Sequence, residues 1–359
     1  MRPPISTRTF RRLLAAAAAI ALVSAAGCST LGYYAQSIHG HFEVLKAARP
    51  IGEVVADPAV AEPLKQRLHR AEQMRNFASS DLGLPDNPSY RSYADLKRPF
   101  VVWNVFATPE LSLELKQWCY PVVGCAGYRG YFERAAADRA AKQLRAEGYE
   151  VNVSGVPAYS TLGWFSDPLL NTFIGGTEGQ LAALVFHELA HQVVFVGGDT
   201  TFNESFATAV EREGVRRWLA AHGDESTRRG YAEFAQRRSQ FVGLLLQYRR
   251  QLEELYRGGA SIDDKRARKR QIFAALKADY ADLKTGWGGY TGYDRYFAQE
   301  LTNAHLAAVG AYNDLVPAFD GLLAQAGGDL SRFYAEVVRL AALPRAQRES
   351  ELRGVRAGH

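Results

Sequence analysis

His187, Glu188 and His191 form an H-E-x-x-H pattern inside the stretch Thr177 to Glu211. On a helix, side chains four residues apart share one face. Two imidazoles placed that way can bind one zinc ion. Glu188 points to the side of that face, where it can hold a metal-activated water and take its proton. Glu204 follows His191 by thirteen residues, across a Gly-Gly-Asp-Thr turn. A helix-turn-helix can return this carboxylate to the imidazoles and complete a His2Glu set. One coordination position then stays open, which marks a catalytic zinc rather than a structural one. Glu211, farther along the second helix, reads as an outer carboxylate or a solvent-facing one, with an alternative ligand as the other option.

The surrounding residues supply the elements that must hold this set. Thr177 and Gln180 make a T-x-x-Q capping box before an apolar run. Leu181, Leu184, Val185, Leu189 and Val193 recur at helical spacing, and Gly197-Gly198 supplies a stop. A second helix is expected from about Thr201. Phe100 to Ala107 and Tyr149 to Val156 read as strands, with a helix over Tyr128 to Gly148 between them. This order predicts a small mixed sheet. An edge strand beside the zinc helix would take an extended peptide by strand addition. Ala158 to Leu170 is a loop with Trp164 and Phe165, either a cleft wall or core packing. Two long helices, Tyr231 to Tyr256 and Asp264 to Leu283, flank a Gly-Gly-Ala-Ser break and predict an antiparallel hairpin.

At Asn203-Glu204-Ser205-Phe206-Ala207 the chain resembles the N-E-G-F-A segment of aminopeptidase N, whose Glu is the third zinc ligand. The gap from the second His is shorter here. The chain is more similar to the bacterial putative aminopeptidase family, predicted gluzincin-type zinc lipoproteins of the envelope. That resemblance includes Tyr159-Ser160-Thr161-Leu162-Gly163-Trp164-Phe165 and Asn303-Ala304-His305-Leu306. It implies a peptide substrate and a zinc metallopeptidase fold. The G-x-M-x-N segment that serves amine recognition in aminopeptidase N is absent, and Glu178 lies more than two turns from His187.

A zinc peptidase also needs a donor for the oxyanion of its tetrahedral intermediate. Tyr312, His305 and Tyr293 are the candidates, in that order. His305 and Tyr312 are seven residues apart and share a helical face.

The amino terminus reads as an export signal. Met1 to Arg12 is basic, Leu13 to Val23 apolar but too short to span a bilayer comfortably. Ser24-Ala25-Ala26-Gly27-Cys28 resembles a lipobox, which makes Cys28 the lipid-modified first residue. Ser29, rather than Asp, resembles outer-membrane sorting. The chain's +5 formal charge resides largely in this leader; without its four arginines 39 basic residues face 38 acidic ones. No overall basic field remains for nucleic acid. Cys119 and Cys125 flank a turn-rich stretch and form an even pair that an oxidising periplasm would join.

The expected organisation is a signal peptide over 1–27, a membrane-proximal tether with a helix over 28–50, and a zinc peptidase domain over 51–343. Within that domain lie the sheet (100–156), the zinc helices (177–220) and a helical part (225–343). A flexible tail follows over 344–359. The expected class is α+β, mostly α-helical, with zincin-like active-site helices, a small mixed sheet and a carboxyl-terminal helical bundle. The expected function is an envelope-anchored zinc aminopeptidase on the periplasmic side. It would be tied to the bilayer by its acyl group, with no partner protein identifiable. Two rival readings are a periplasmic endopeptidase and a non-catalytic zinc-binding lipoprotein. The latter would fill the open position with a fourth protein ligand, for which His305 is the spare histidine.

Overall fold

Thr177 starts the central helix as its capping box requires. The Thr177 N–H donates to Gln180 Oε1 at 2.9 Å and the Gln180 N–H donates to Thr177 Oγ1 at 3.4 Å. The structure is a computed structural model and describes residues 32–120, 124–158 and 160–357. The leader, Cys28 and Tyr159 lie outside the described residues.

The chain begins with α1 (residues 32–47), β1 (Ala48–Pro50), α2 (Ile51–Ala56), α3 (Glu62–Ser80) and β2 (Ser92–Ala94). Next come β3 (Val102–Pro109), a hairpin of β4 (Trp118–Tyr120) and β5 (Gly124–Ala126), β6 (Arg129–Tyr131), α4 (Arg134–Ala146) and β7 (Tyr149–Val156). A two-residue strand, β8 (Leu169–Leu170), leads to α5 (Glu178–Ala190) and α6 (Thr200–His222). The rest is helical: α7 (Glu225–Arg257), α8 (Ile262–Gly286), α9 (Asp294–Phe297), α10 (Asn303–Asn313), α11 (Val316–Gln325), α12 (Leu330–Ala341) and α13 (Arg345–Ala357). The fold is thus α+β and mostly helical.

Helix α5 is mostly apolar, and eight of its thirteen residues are buried. Leu181, Val185, Phe186 and Leu189 pack with Phe202, Phe206 and Trp218 of α6 and with Met74 and Phe77 of α3 in the main core. The α7–α8 hairpin forms as expected and shares a second core with α9 and α10, built on Leu245, Leu252, Leu276 and Tyr280. A third core lies between α4 and the sheet.

Three expectations need correction. The sheet over 100–156 has the order β6-β3-β7 and is antiparallel throughout, with Trp103 opposite Tyr131 on one side and Gly155 on the other. The mixed sheet is a different one, β1-β2-β8, in which β2 pairs antiparallel with β1 and parallel with β8. The helix expected over Tyr128 to Gly148 begins only at Arg134, because Arg129–Tyr131 becomes an edge strand. The tail expected to be flexible instead forms α13, whose Leu352 is fully buried and whose Arg348 is nearly so. Its charges are matched along the helix, as in the Arg345–Glu349 pair at 2.9 Å and the Arg353–Glu349 pair at 3.0 Å. On α1, Ile38 and Phe42 are exposed, while Gly40 and Val44 face inward.

Candidate metal centre

Helix α5 delivers His187 from its last turn and His191 from its C-cap, where the backbone is still right-handed helical (φ −59°, ψ −21°). Their ring centroids are 4.9 Å apart. The chain then turns through Gly198 at φ +79°, a left-handed conformation that favours glycine. Asn203 clamps this turn: its Oδ1 accepts from the Val196 N–H and its Nδ2 donates to the Val196 carbonyl, both at 2.8 Å. Asp199 caps α6 by accepting from the Phe202 N–H at 3.1 Å. Glu204, one turn into α6, is thereby aimed back at α5.

Glu204 Oε2 lies 3.2 Å from His187 Nε2 and 3.7 Å from His191 Nε2. The three donor atoms fall within 4.8 Å of one another, the one such group of three found among the described residues. Tetrahedral ligands at zinc–donor distances of about 2.0–2.1 Å sit about 3.3 Å from each other. The two distances from Glu204, 3.2 and 3.7 Å, lie near that value. Burial pushes His191 down to about 4, so its imidazole is neutral at pH 7, the form that ligates a metal. Its buried Nδ1 has no hydrogen-bond partner.

Glu211 is the outer carboxylate. His187 Nδ1–H donates to its Oε2 at 3.1 Å, which fixes the ring with Nε2 toward Glu204. Arg238 of α7 donates to Glu211 Oε1 at 2.6 Å. Burial acts to raise Glu211, but Arg238 and His187 outweigh it and hold the carboxyl at about 2. Burial alone would lower His187, yet its hydrogen bonds to Glu204 and Glu211 raise it to about 10. A divalent cation at Nε2 would meet the same carboxylate with the same sign of charge.

Glu188 is pushed up to about 7, first by burial and then by the nearby Glu204, Asp167 and Glu211 charges, with His187 opposing. A carboxyl poised near neutrality suits a group that takes and returns a proton.

Two tyrosines reach the same charges. Burial is the largest cause raising Tyr312, followed by the fields of Glu204, Tyr128 and Glu188. Tyr128 is raised by burial and by the same two glutamates. The sequence reading singled out Tyr312 but missed Tyr128. Its position, just before an edge strand, carries no sequence signal that separates it from the chain's other tyrosines. The hairpin before it is closed by the Cys119–Cys125 disulfide, the two cysteines facing each other across β4 and β5. That hairpin abuts the metal-site turn so closely that a Cβ on Gly124 would fall 2.9 Å from the Gly198 nitrogen.

The other candidates belong elsewhere. His305 is the N3 residue of α10 and its Nδ1 accepts from the Thr302 N–H at 3.1 Å. The seven residues separating it from Tyr312 amount to about 10 Å of helix. His305 therefore neither joins the His-His-Glu group nor reaches the glutamates. Tyr293 stacks on Phe241 with centroids 4.0 Å apart, inside the second core. Glu178 is occupied by Arg70 at 2.6 Å and Trp218 at 2.9 Å.

A mostly helical α+β chain with a buried His-His-Glu cluster and an adjacent buried carboxyl defines a candidate metallohydrolase. The comparison with known families places it further: a family model described as putative aminopeptidase matches residues 32–352, and the chain belongs to that family. No curated protein and no solved structure matches it.

Proposed function

We propose that the protein is a gluzincin-type zinc aminopeptidase tethered to the bacterial envelope. The convergence of His187, His191 and Glu204 carries this reading. Zinc bound there would acidify a water and polarise the scissile carbonyl. Glu188 takes the proton of the attacking water and returns it to the leaving amine. Tyr312 and Tyr128 donate hydrogen bonds to the oxygen that becomes negative as the carbonyl turns tetrahedral. Their raised pKa values keep both phenols protonated. Glu211 and Arg238 hold His187 in register. His305 caps α10 and no fourth His, Cys, Asp or Glu joins the three-residue group among the described residues, which supports a hydrolase over a non-catalytic site with a fourth protein ligand.

The deciding experiment is Glu188→Gln. It should retain about one zinc per chain by metal analysis and lose hydrolysis of unblocked peptides by at least about 100-fold. Undiminished turnover would refute Glu188 as the base. For the tether, Cys28→Ser should move the protein from the membrane to the soluble fraction; a variant still membrane-bound would exclude acylation of Cys28 as the anchor.

A further inference from the structure

Strand β6 is an edge strand, with β3 on one side only. Alternate residues of a strand turn their peptide groups to opposite sides. On the outer side of β6 stands Gln36 of α1. Its Nε2 donates to the Gly130 carbonyl at 3.4 Å and its Oε1 accepts from the Phe132 N–H at 3.2 Å. A carboxamide is a peptide group carried on a side chain. The acceptor of residue 130 and the donor of residue 132 are the pair that one residue of an added parallel strand would use. Arg98 takes the next outward group, donating to the Phe132 carbonyl at 2.8 Å.

Helix α1 is fixed in this place by its sequence. Gly40 lies on Phe132, where a Cβ would come within 2.2 Å of the ring. Tyr33 stacks on Tyr120 at 5.7 Å, and the Arg129 guanidinium covers its other surroundings at 3.9 Å from the ring centroid. One long stride along the helix, His41 packs on Phe165 with centroids 4.5 Å apart. The eight residues from Tyr33 to His41 span about 12 Å. Both supports lead to the metal centre. The β4–β5 hairpin just before β6 abuts the turn at Gly198, and a Cβ on Gly163 of the loop bearing Phe165 would lie 3.6 Å from the side chain of Gln192, the neighbour of His191. Helix α1 therefore bars the edge that runs out from the site.

We propose that α1 limits the length of substrate: Gln36 holds the place of a substrate residue on β6, so an extended polypeptide cannot pair along this edge and only a chain terminus enters. This rests on the aminopeptidase reading and supplies its missing structural element, a block beyond the first residue. The substrate class is unfolded peptides presented by a free end, and internal bonds of long chains are refused.

The test uses the zinc-loaded protein and two variants that loosen α1 differently. Gln36→Ala removes the false rung; Gly40→Ala pushes the helix off Phe132. Mass spectrometry of an unblocked and an Nα-acetylated decapeptide gives the ratio of internal to terminal cleavage. Both variants should raise that ratio about tenfold, the worth of one or two hydrogen bonds. A second arm avoids turnover: in the Glu188→Gln background, adding Gln36→Ala should tighten the Kd for the acetylated decapeptide about tenfold. Unchanged ratio and unchanged Kd in variants that melt like the parent would overturn the proposal. If the zinc-loaded parent cuts no peptide, the peptidase reading falls by itself, and the binding arm still decides whether α1 guards the edge.

Discussion

At the residue scale, the chemistry depends on groups that burial has made expensive to leave unpaired. Glu204 and Glu211 are both carboxylates near one imidazole, yet they do different work. Glu204 meets the Nε2 atoms of both histidines, whereas Glu211 meets Nδ1 of His187 and is itself anchored by Arg238. The phenols are the less obvious pair. Tyr312→Phe and Tyr128→Phe keep the ring and remove only the hydroxyl, so packing should survive. If both hydroxyls serve the developing oxyanion, each change lowers kcat by about 10- to 1000-fold with little change in KM. Steady-state kinetics on an unblocked peptide will separate them. A variant with unaltered kcat has a phenol that only fills space.

At the element scale, α10 shows how a reactive-looking side chain can serve the fold. His305 is 3% exposed and accepts the Thr302 N–H that opens the helix. Burial, aided by the Arg145 charge, lowers it to about 4. Between about pH 4 and the unfolded value of 6.5 the unfolded chain therefore binds more protons than the folded one. The contribution to stability is complete above about pH 6.5 and is lost as the pH falls toward 4; it amounts to about 3 kcal/mol. Glutamine at N3 preserves a capping box without a titrating group. His305→Gln should thus flatten this part of the denaturation midpoint against pH and leave turnover intact. Lost turnover in a well-folded variant would return His305 to the catalytic set. Helix α5 and the turn into α6 were legible in the sequence because Thr177, Gln180, the apolar repeat and Gly197-Gly198 act locally. Strand β6 was not: three residues have no periodicity, and Arg129–Tyr131 becomes a strand only by pairing with Val105 to Trp103, far off in sequence. The same holds for Tyr128, whose place depends on that pairing and on the hairpin seated against Gly198.

At the scale of the whole molecule, one ion pair joins the far carboxyl-terminal helix to the start of α6, the helix that carries Glu204. Arg348 of α13 donates to Asp199 Oδ2 through Nε at 3.1 Å and Nη2 at 2.7 Å, and both side chains are buried. The other oxygen of Asp199 caps the helix that carries Glu204. Composition alone made residues 344–359 look like a flexible tail, because charge counts do not reveal which arginine turns inward. Truncating one partner of such a pair leaves a buried charge uncompensated and typically costs about 3–5 kcal/mol. Arg348→Met should lose stability on that order in a urea titration. It should also weaken zinc binding in a competition assay with a chelator, since the first turn of α6 loses its brace. Adding Asp199→Asn keeps an oxygen for the Phe202 N–H and removes the stranded charge, so the double variant should regain part of both losses. Losses that simply add, with no recovery, would mean that α13 stabilises the protein by packing alone and that the arginine's charge does not reach α6 and its Glu204.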